Sequence, residues 1–327
     1  MVDSTQWSDS GVTGRTRLAP SPTGALHLGN ARTFLVNWAI ARQWGWRIVL
    51  RIDDLDGPRI KRNADQQAIE ILRWLGVDWD EGPYYQSDAR DEYRAALHHL
   101  ALQGAIYPCH CTRSGIQSAA ASAPHVGQHE LRYSGRCRPE NIVPVLPDVW
   151  DQADAAWRFR VEKGELSVDD HFAGFYRGDV WSSVGDFLVA NKQGEPSYQL
   201  AVVLDDVRQR VNRVVRGDDL LSSTPRQMLL YDALQLSPTP QYWHLPLVVG
   251  VDGRRLAKRH GDSRLIHYRN RGVKATRVVG LLAEWCGVSR RTDMSSREFL
   301  DRFDINRMPR QRVVYSSADD RWLMEGR

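Results

Sequence analysis

The sequence predicts an α/β protein, a parallel sheet interrupted by an insertion and followed by a helical C-terminal region. Three observations carry this prediction. Within Arg15–Ile52 a short strand, a helical repeat and a nearly continuous apolar run follow one another at the spacing of a βαβ unit. From about Tyr107 to Pro147 the periodicity breaks down into a stretch rich in Cys, His, Ser, Ala and Pro. After Ser263 helical spacing returns, with an excess of basic residues. A chain of 327 residues has room for about two domains at roughly 150 residues each.

Taken in order, Arg15–Ala19 reads as a strand that runs into the turn-rich loop Pro20-Ser21-Pro22-Thr23-Gly24. Leu28 opens a helix on which Phe34, Leu35, Trp38 and Arg42 keep helical spacing, and Gly45 stops it. Ile48–Ile52 has the apolar continuity of a buried parallel strand. Ala68, Leu72 and Leu75 mark one further helix face, and Tyr93, Ala96, Leu97 and Leu100 another. Trp157–Val161, Leu200–Leu204 and Val211–Val215 read as strands, the last two as buried members of the main sheet. Pro225–Leu234 is a helix with Pro in its first turn, and Thr276–Trp285 is an amphipathic helix. The expected division is a disordered tail over 1–14, the parallel-sheet domain over 15–106 and 176–262, the insertion over 107–175, and the helical region over 263–327.

Composition narrows the class. Hydrophobic residues make up 42% and charged residues 26%, the mix of a globular protein with a sizeable core. No apolar run approaches the ~20 residues of a membrane span, and Met1–Gly14 has no apolar signal core. A cytoplasmic chain with reduced cysteines and no membrane partner is expected. The net charge is +4, but Ser263–Arg327 alone holds 14 Lys and Arg against 8 Asp and Glu. That segment points to a polyanionic partner, or to a solvated helical surface.

The first strand feeds a loop with Gly24 and Gly29 and then a helix, which aims free backbone N–H groups at a phosphate. His27 sits just before the helix, within reach of phosphate or ribose. The stretch Thr16-Arg17-Leu18-Ala19-Pro20-Ser21-Pro22-Thr23-Gly24-Ala25-Leu26-His27-Leu28-Gly29-Asn30-Ala31-Arg32 resembles the opening of the glutamyl-tRNA synthetase group of class I aminoacyl-tRNA synthetases. Leu26–Asn30 stands where that class carries its HIGH signature; His27 and Gly29 match it, and Asn30 replaces the final His. Late in the chain, Arg255-Leu256-Ala257-Lys258-Arg259 resembles the KMSKS loop of the same class. Lys258 matches its second lysine, while Arg255 and Ala257 replace the first lysine and the serine. The resemblance implies a Rossmann-like catalytic domain that binds ATP, with magnesium, through His27, Gly29 and Lys258. A lysine closing over the α-phosphate stabilises the charge that builds there when a carboxylate attacks.

An amino acid with two carboxylates and an ammonium needs both signs of charge in one pocket. Arg17 and Arg216 are the carboxylate candidates, Asp53 the ammonium candidate, and Ser21 and Tyr198 neutral partners. The resemblance implies that Arg17, Leu18, Ala19, Pro20 and Ser21 form a glutamate-binding segment, joined by Tyr198 and Arg216. Asp53 stands where the family usually has Glu, one methylene longer.

Three of the four cysteines, Cys109, Cys111 and Cys137, lie within 29 residues. That clustering in a chain expected to stay reduced favours a structural zinc, one per chain. For the fourth ligand Tyr133, His110, His125 and His129 are within reach by sequence, and general chemistry favours a histidine, because phenolate is a rare zinc ligand. The pattern C-x-C followed by Y-x-x-x-C resembles that of glutamyl-Q tRNA(Asp) synthetases and implies Cys109, Cys111, Tyr133 and Cys137. The 69 residues after Lys258 are too few for both a stem-contact fold and an anticodon-binding bundle, which points to the same branch. The implied activity is ATP-dependent activation of glutamate without tRNA, then transfer to the queuosine base in the anticodon loop of tRNA(Asp), by a monomer. Two readings share the motifs: a short glutamyl-tRNA synthetase charging tRNA(Glu), and a non-enzymatic tRNA-binding paralogue.

Overall fold

A computed structural model describes residues 13–111, 132–152, 154–254, 256 and 262–325. Lys258, with Arg255, Ala257 and Arg259, and His125 and His129 lie outside the described residues, as do residues 1–12. The first βαβ unit is as expected: β1 (Arg15–Leu18), α1 (Leu28–Gln43) and β2 (Arg47–Ile52), with β1 and β2 parallel and in register. After α2 (Ala64–Trp74), β3 (Glu81–Tyr85) pairs with the other edge of β2, again parallel. Helix α3 (Arg90–Leu102) leads to β4 (Ile106–Cys109), and α4 (Pro147–Gln152) to β5 (Ala156–Phe159). The strands β6 (Leu166–Asp170) and β7 (Gly174–Gly178) form a hairpin, followed by α5 (Val180–Ser183), β8 (Phe187–Ala190) and α6 (Tyr198–Arg208).

Then come β9 (Arg213–Gly217), α7 (Thr224–Ala233), β10 (Gln241–Leu245) and β11 (Val248–Val249). The C-terminal region holds α8 (Leu265–Asn270), α9 (Ala275–Trp285), α10 (Ser296–Arg302), β12 (Val313–Val314), which pairs with β11, and α11 (Ser317–Glu325).

Strand β10 pairs in parallel with β9 on one side and β6 on the other, and β7 adds antiparallel to β6. Strand β9 abuts the free edge of β1: the Asn212 N–H donates to the Arg15 carbonyl at 2.9 Å, and the Arg15 N–H to Asn212 Oδ1 at 2.8 Å. The two parallel halves therefore meet at β1 and β9, where the order of connection reverses. In open α/β sheets that switch point is where ligands bind, outside the carboxyl ends of the strands. The antiparallel sheet β4-β5-β8 is separate, with Trp157, Phe159, Phe187 and Val189 in its core. The hairpin β6–β7, which includes part of the expected insertion, extends the sheet of β9 and β10 instead.

Burial explains the elements. Every residue of β2 from Ile48 to Ile52 is buried, and α1 buries ten of its residues between this sheet and the C-terminal helices. Arg32 on α1 is buried too, and donates to the carbonyls of Pro246 and Trp285 at 2.6 and 3.2 Å. It ties the parallel-sheet half to the C-terminus of α9, where a cation meets the negative end of the helix dipole. One expected strand is corrected. Leu200–Leu204 lies inside α6, a helix buried on most of its circumference, with Leu200, Ala201, Val202 and Val203 all enclosed. A short apolar run has the same appearance in a buried strand and a buried helix. The strand expected at Val211–Val215 is displaced to Arg213–Gly217.

Candidate active site

A cleft of about 400 Å³ opens at the carboxyl ends of β1, β2, β9 and β10. Arg17, Ala19, Pro20, Ser21, His27, Gly29, Asp53, Tyr198 and Arg216 all line it, drawn from five separate parts of the chain. Leu18 does not; its side chain is fully buried in the core under α1.

The phosphate-side wall is the start of α1. His27 is the N-cap: its Nδ1 accepts from the N–H groups of Gly29 and Asn30 at 3.1 and 3.4 Å. The ring proton then sits on Nε2. Asn30 returns a bond, its Oδ1 accepting from the His27 N–H at 3.2 Å. This capping box gives Asn30 a structural reason to stand where the signature has His. A Cβ on Gly29 would lie 3.0 Å from the His27 ring, so glycine is what lets the imidazole fold over the helix end. The chain flanking the expected Lys258 loop is fastened to the same place. Leu28 N–H donates to the Ser263 carbonyl at 3.0 Å, and Leu265 N–H to the Leu26 carbonyl at 2.8 Å.

The amino-acid side rests on a buried chain of alternating charges. Asp206 accepts from Arg17 Nε at 3.2 Å and from Arg51 Nη1 at 2.7 Å, and Arg51 Nε donates to Asp53 at 2.7 Å. Asp205, fully buried, also lies 4.0 Å from Arg51 Nε, so guanidinium groups and carboxylates neutralise one another out of water, as buried charges must. Burial pushes the Asp53 carboxyl up, against the opposing pull of Arg51, to about 6. Burial also raises the Tyr198 phenol above its ordinary value, so it stays a neutral donor. Arg216 is held differently: Nε donates to His244 Nε2 at 2.9 Å, and Nη2 to Thr224 Oγ1 and Gln227 Oε1 at 2.8 and 2.9 Å. Burial lowers His244 to about 4, so it is neutral, and its Nδ1–H donates to Asp170 Oδ2 at 2.6 Å.

Away from the cleft, Cys109, Cys111 and Cys137 bring their sulfurs within 4.8 Å of one another, a group that could hold a metal ion. Cys111 and Cys137 Sγ are 3.5 Å apart, and Tyr133 Oη lies 3.6 and 4.0 Å from Cys109 and Cys111 Sγ. With metal–sulfur bonds of about 2.3 Å, a tetrahedron has edges of about 3.8 Å, and these three distances lie close to that. Tyr133 is buried, and the Arg158 guanidinium lies 3.7 Å over its ring while donating to Cys109 Sγ at 3.4 Å. Burial raises the Cys137 thiol, but hydrogen bonds from Tyr133 and the His110 backbone outweigh it and bring it to about 7. The His110 side chain is exposed.

Comparison with known proteins gives the family. The family profile described as tRNA synthetases class I (E and Q), catalytic domain, covers residues 13–319. A glutamyl-Q tRNA(Asp) synthetase of Rhodopirellula baltica is 44% identical over 91% of this chain and 95% of its own length. Another, of Symbiobacterium thermophilum, is 44% identical over 91% and 94%. The chain belongs to the glutamyl-Q tRNA(Asp) synthetase family. It is a ligase of the class I aminoacyl-tRNA synthetase type. A glutamate tRNA ligase from Elizabethkingia meningosepticum, solved in complex with its amino acid, superposes with a TM-score of 0.77 at 25% identity. The match covers 95% of this chain and 69% of that one.

Sequence reasoning named residues that line the cleft and missed what braces them: Arg51, Asp206, His244 and Asp170. A signal existed. Arg51 sits inside an otherwise apolar strand and His244 between Trp243 and Leu245; charged or polar groups in such places need a partner across the core.

Proposed function

We propose that the chain activates glutamate with ATP and magnesium to glutamyl-adenylate without tRNA, then transfers glutamate to the queuosine base in the anticodon loop of tRNA(Asp). The observation that carries the first step is the cleft itself, in which Arg17, Asp53, Tyr198 and Arg216 converge beside the N-terminus of α1. Arg17 and Arg216 take the carboxylates and Asp53 the ammonium. His27 and Gly29 face the nucleotide phosphates, and Lys258, five residues before Ser263, supplies the cation for the α-phosphate. Ser21 and the Ala19–Pro20 backbone complete the glutamate segment. The names of the Rhodopirellula baltica and Symbiobacterium thermophilum relatives support the second step. Zinc in the Cys109–Cys111–Tyr133–Cys137 site would hold the insertion in shape as a structural ion. The test is glutamate-dependent pyrophosphate exchange in the absence of RNA. Exchange without RNA is expected; exchange only on addition of tRNA(Glu) would favour a conventional glutamyl-tRNA synthetase.

A further inference from the structure

The three buried arginines around the cleft are not equivalent. Arg17 and Arg51 are both in ion-pair contact with Asp206, and Arg51 also with Asp53. Arg216 is 5% exposed, yet among the described residues it is bonded only to uncharged acceptors: His244, Thr224, Gln227 and the Leu220 carbonyl. Its Nη1 makes none of these bonds. A guanidinium out of water without a counter-charge is unfavourable until an anion arrives.

The acceptors around Arg216 are fixed in polarity as well as place. Asp170 receives the N–H groups of Phe172 at 3.0 Å, Ala173 at 2.6 Å and His244 at 3.1 Å, so it is held as an acceptor. It therefore takes the proton of His244 Nδ1, which leaves the lone pair of Nε2 turned to Arg216. The opposite tautomer would set N–H against N–H. Gln227 is oriented the same way: its Nε2 donates to Gln199 Oε1 at 3.0 Å, and Gln199 Nε2 to Ser223 Oγ at 3.1 Å, so Gln227 Oε1 faces the guanidinium. Asp170 lies one imidazole away from Arg216, close enough to orient the ring and too far to pair with the cation.

We propose that Asp170 and His244 are positioning residues that keep Arg216 rigid and un-neutralised, so that its free edge selects the side-chain carboxylate of a dicarboxylic amino acid over its amide. The assignment rests on the glutamate reading above. An amide in this place would leave the buried cation without a counter-charge, whereas a carboxylate completes it.

The test uses the full-length protein and pyrophosphate exchange with glutamate, glutamine and ATP varied in turn. His244→Phe keeps a ring but removes both nitrogens. Its KM for glutamate should rise about 10- to 100-fold, the scale of one lost hydrogen bond to a charged group, and its preference for glutamate over glutamine should fall. Its KM for ATP should stay within about twofold. His244→Gln can place an amide oxygen near the Nε2 position, and should recover most of the loss. Should the phenylalanine variant not fold, the wild-type protein and Asp170→Asn decide the matter. The wild-type His244 ring should show the Nδ1–H tautomer by ¹⁵N chemical shift, and Asp170→Asn should lose that tautomer and raise the glutamate KM. An unchanged glutamate KM in His244→Phe, an equal loss for ATP, or an Nε2–H tautomer in an active wild-type protein would overturn the proposal. A wild-type protein that exchanges no glutamate at all would instead overturn the functional reading beneath it.

Discussion

Asp53→Asn is the most discriminating single substitution in the cleft. In the proposed pocket this carboxylate receives the substrate ammonium. Asn keeps the shape and removes the charge. Arg51 keeps its 2.7 Å bond to Asp206, so the buried charge chain survives. What is lost is one charge-assisted interaction, about 1.5–3 kcal/mol, or about 10- to 100-fold in glutamate KM. The pH profile gives the sign independently. Burial holds Asp53 at about 6, so it is ionised at neutral pH and gains a proton as the pH falls through 6. The ammonium contact needs the ionised form. The wild-type KM for glutamate should therefore climb about tenfold per unit below pH 6, while Asp53→Asn should start high and stay flat. The assay is pyrophosphate exchange from pH 5 to 8 at saturating ATP. A wild-type KM that is level across this range, or a variant that keeps the wild-type slope, would refute the assignment of Asp53.

Three further outcomes are expected. Asp206→Ala leaves Arg17 and Arg51 buried without their shared carboxylate, and should cost about 3–5 kcal/mol of folding stability by denaturant titration; a loss under about 1 kcal/mol would mean that water reaches these groups. Lys258→Ala should lower the rate of adenylate formation about 10²–10³-fold with little change in glutamate affinity; weakened glutamate binding at normal turnover would mean this loop serves the amino acid. The isolated protein should hold one zinc per chain by metal analysis, and Tyr133→Phe should retain it poorly. Full zinc in Tyr133→Phe beside a loss in His125→Ala or His129→Ala would move the fourth ligand to a histidine.

How much was legible in the sequence follows from what each signal depends on. The βαβ opening was legible because β2 is apolar throughout and the loop before α1 is marked by Pro and Gly; both are local. The cysteine cluster was legible because Cys109, Cys111 and Cys137 are close in the chain as well as in space. The strand reading of Leu200–Leu204 failed because α6 is enclosed on most of its circumference, so this run carries no polar residue to mark a helical period. The braces were hidden for a different reason. Arg17 and Asp206 are 189 positions apart, and Asp170 and His244 are 74 apart, so only tertiary packing brings each pair together.

The central claim is the acceptor, and transfer of labelled glutamate tests it most directly. Purified tRNA(Asp) with queuosine, tRNA(Asp) without it, and tRNA(Glu) are each incubated with the protein, ATP and labelled glutamate, and the label bound to RNA is counted. Label on queuosine-bearing tRNA(Asp) alone is the predicted result. Label on tRNA(Glu), with none on queuosine-bearing tRNA(Asp), would contradict it.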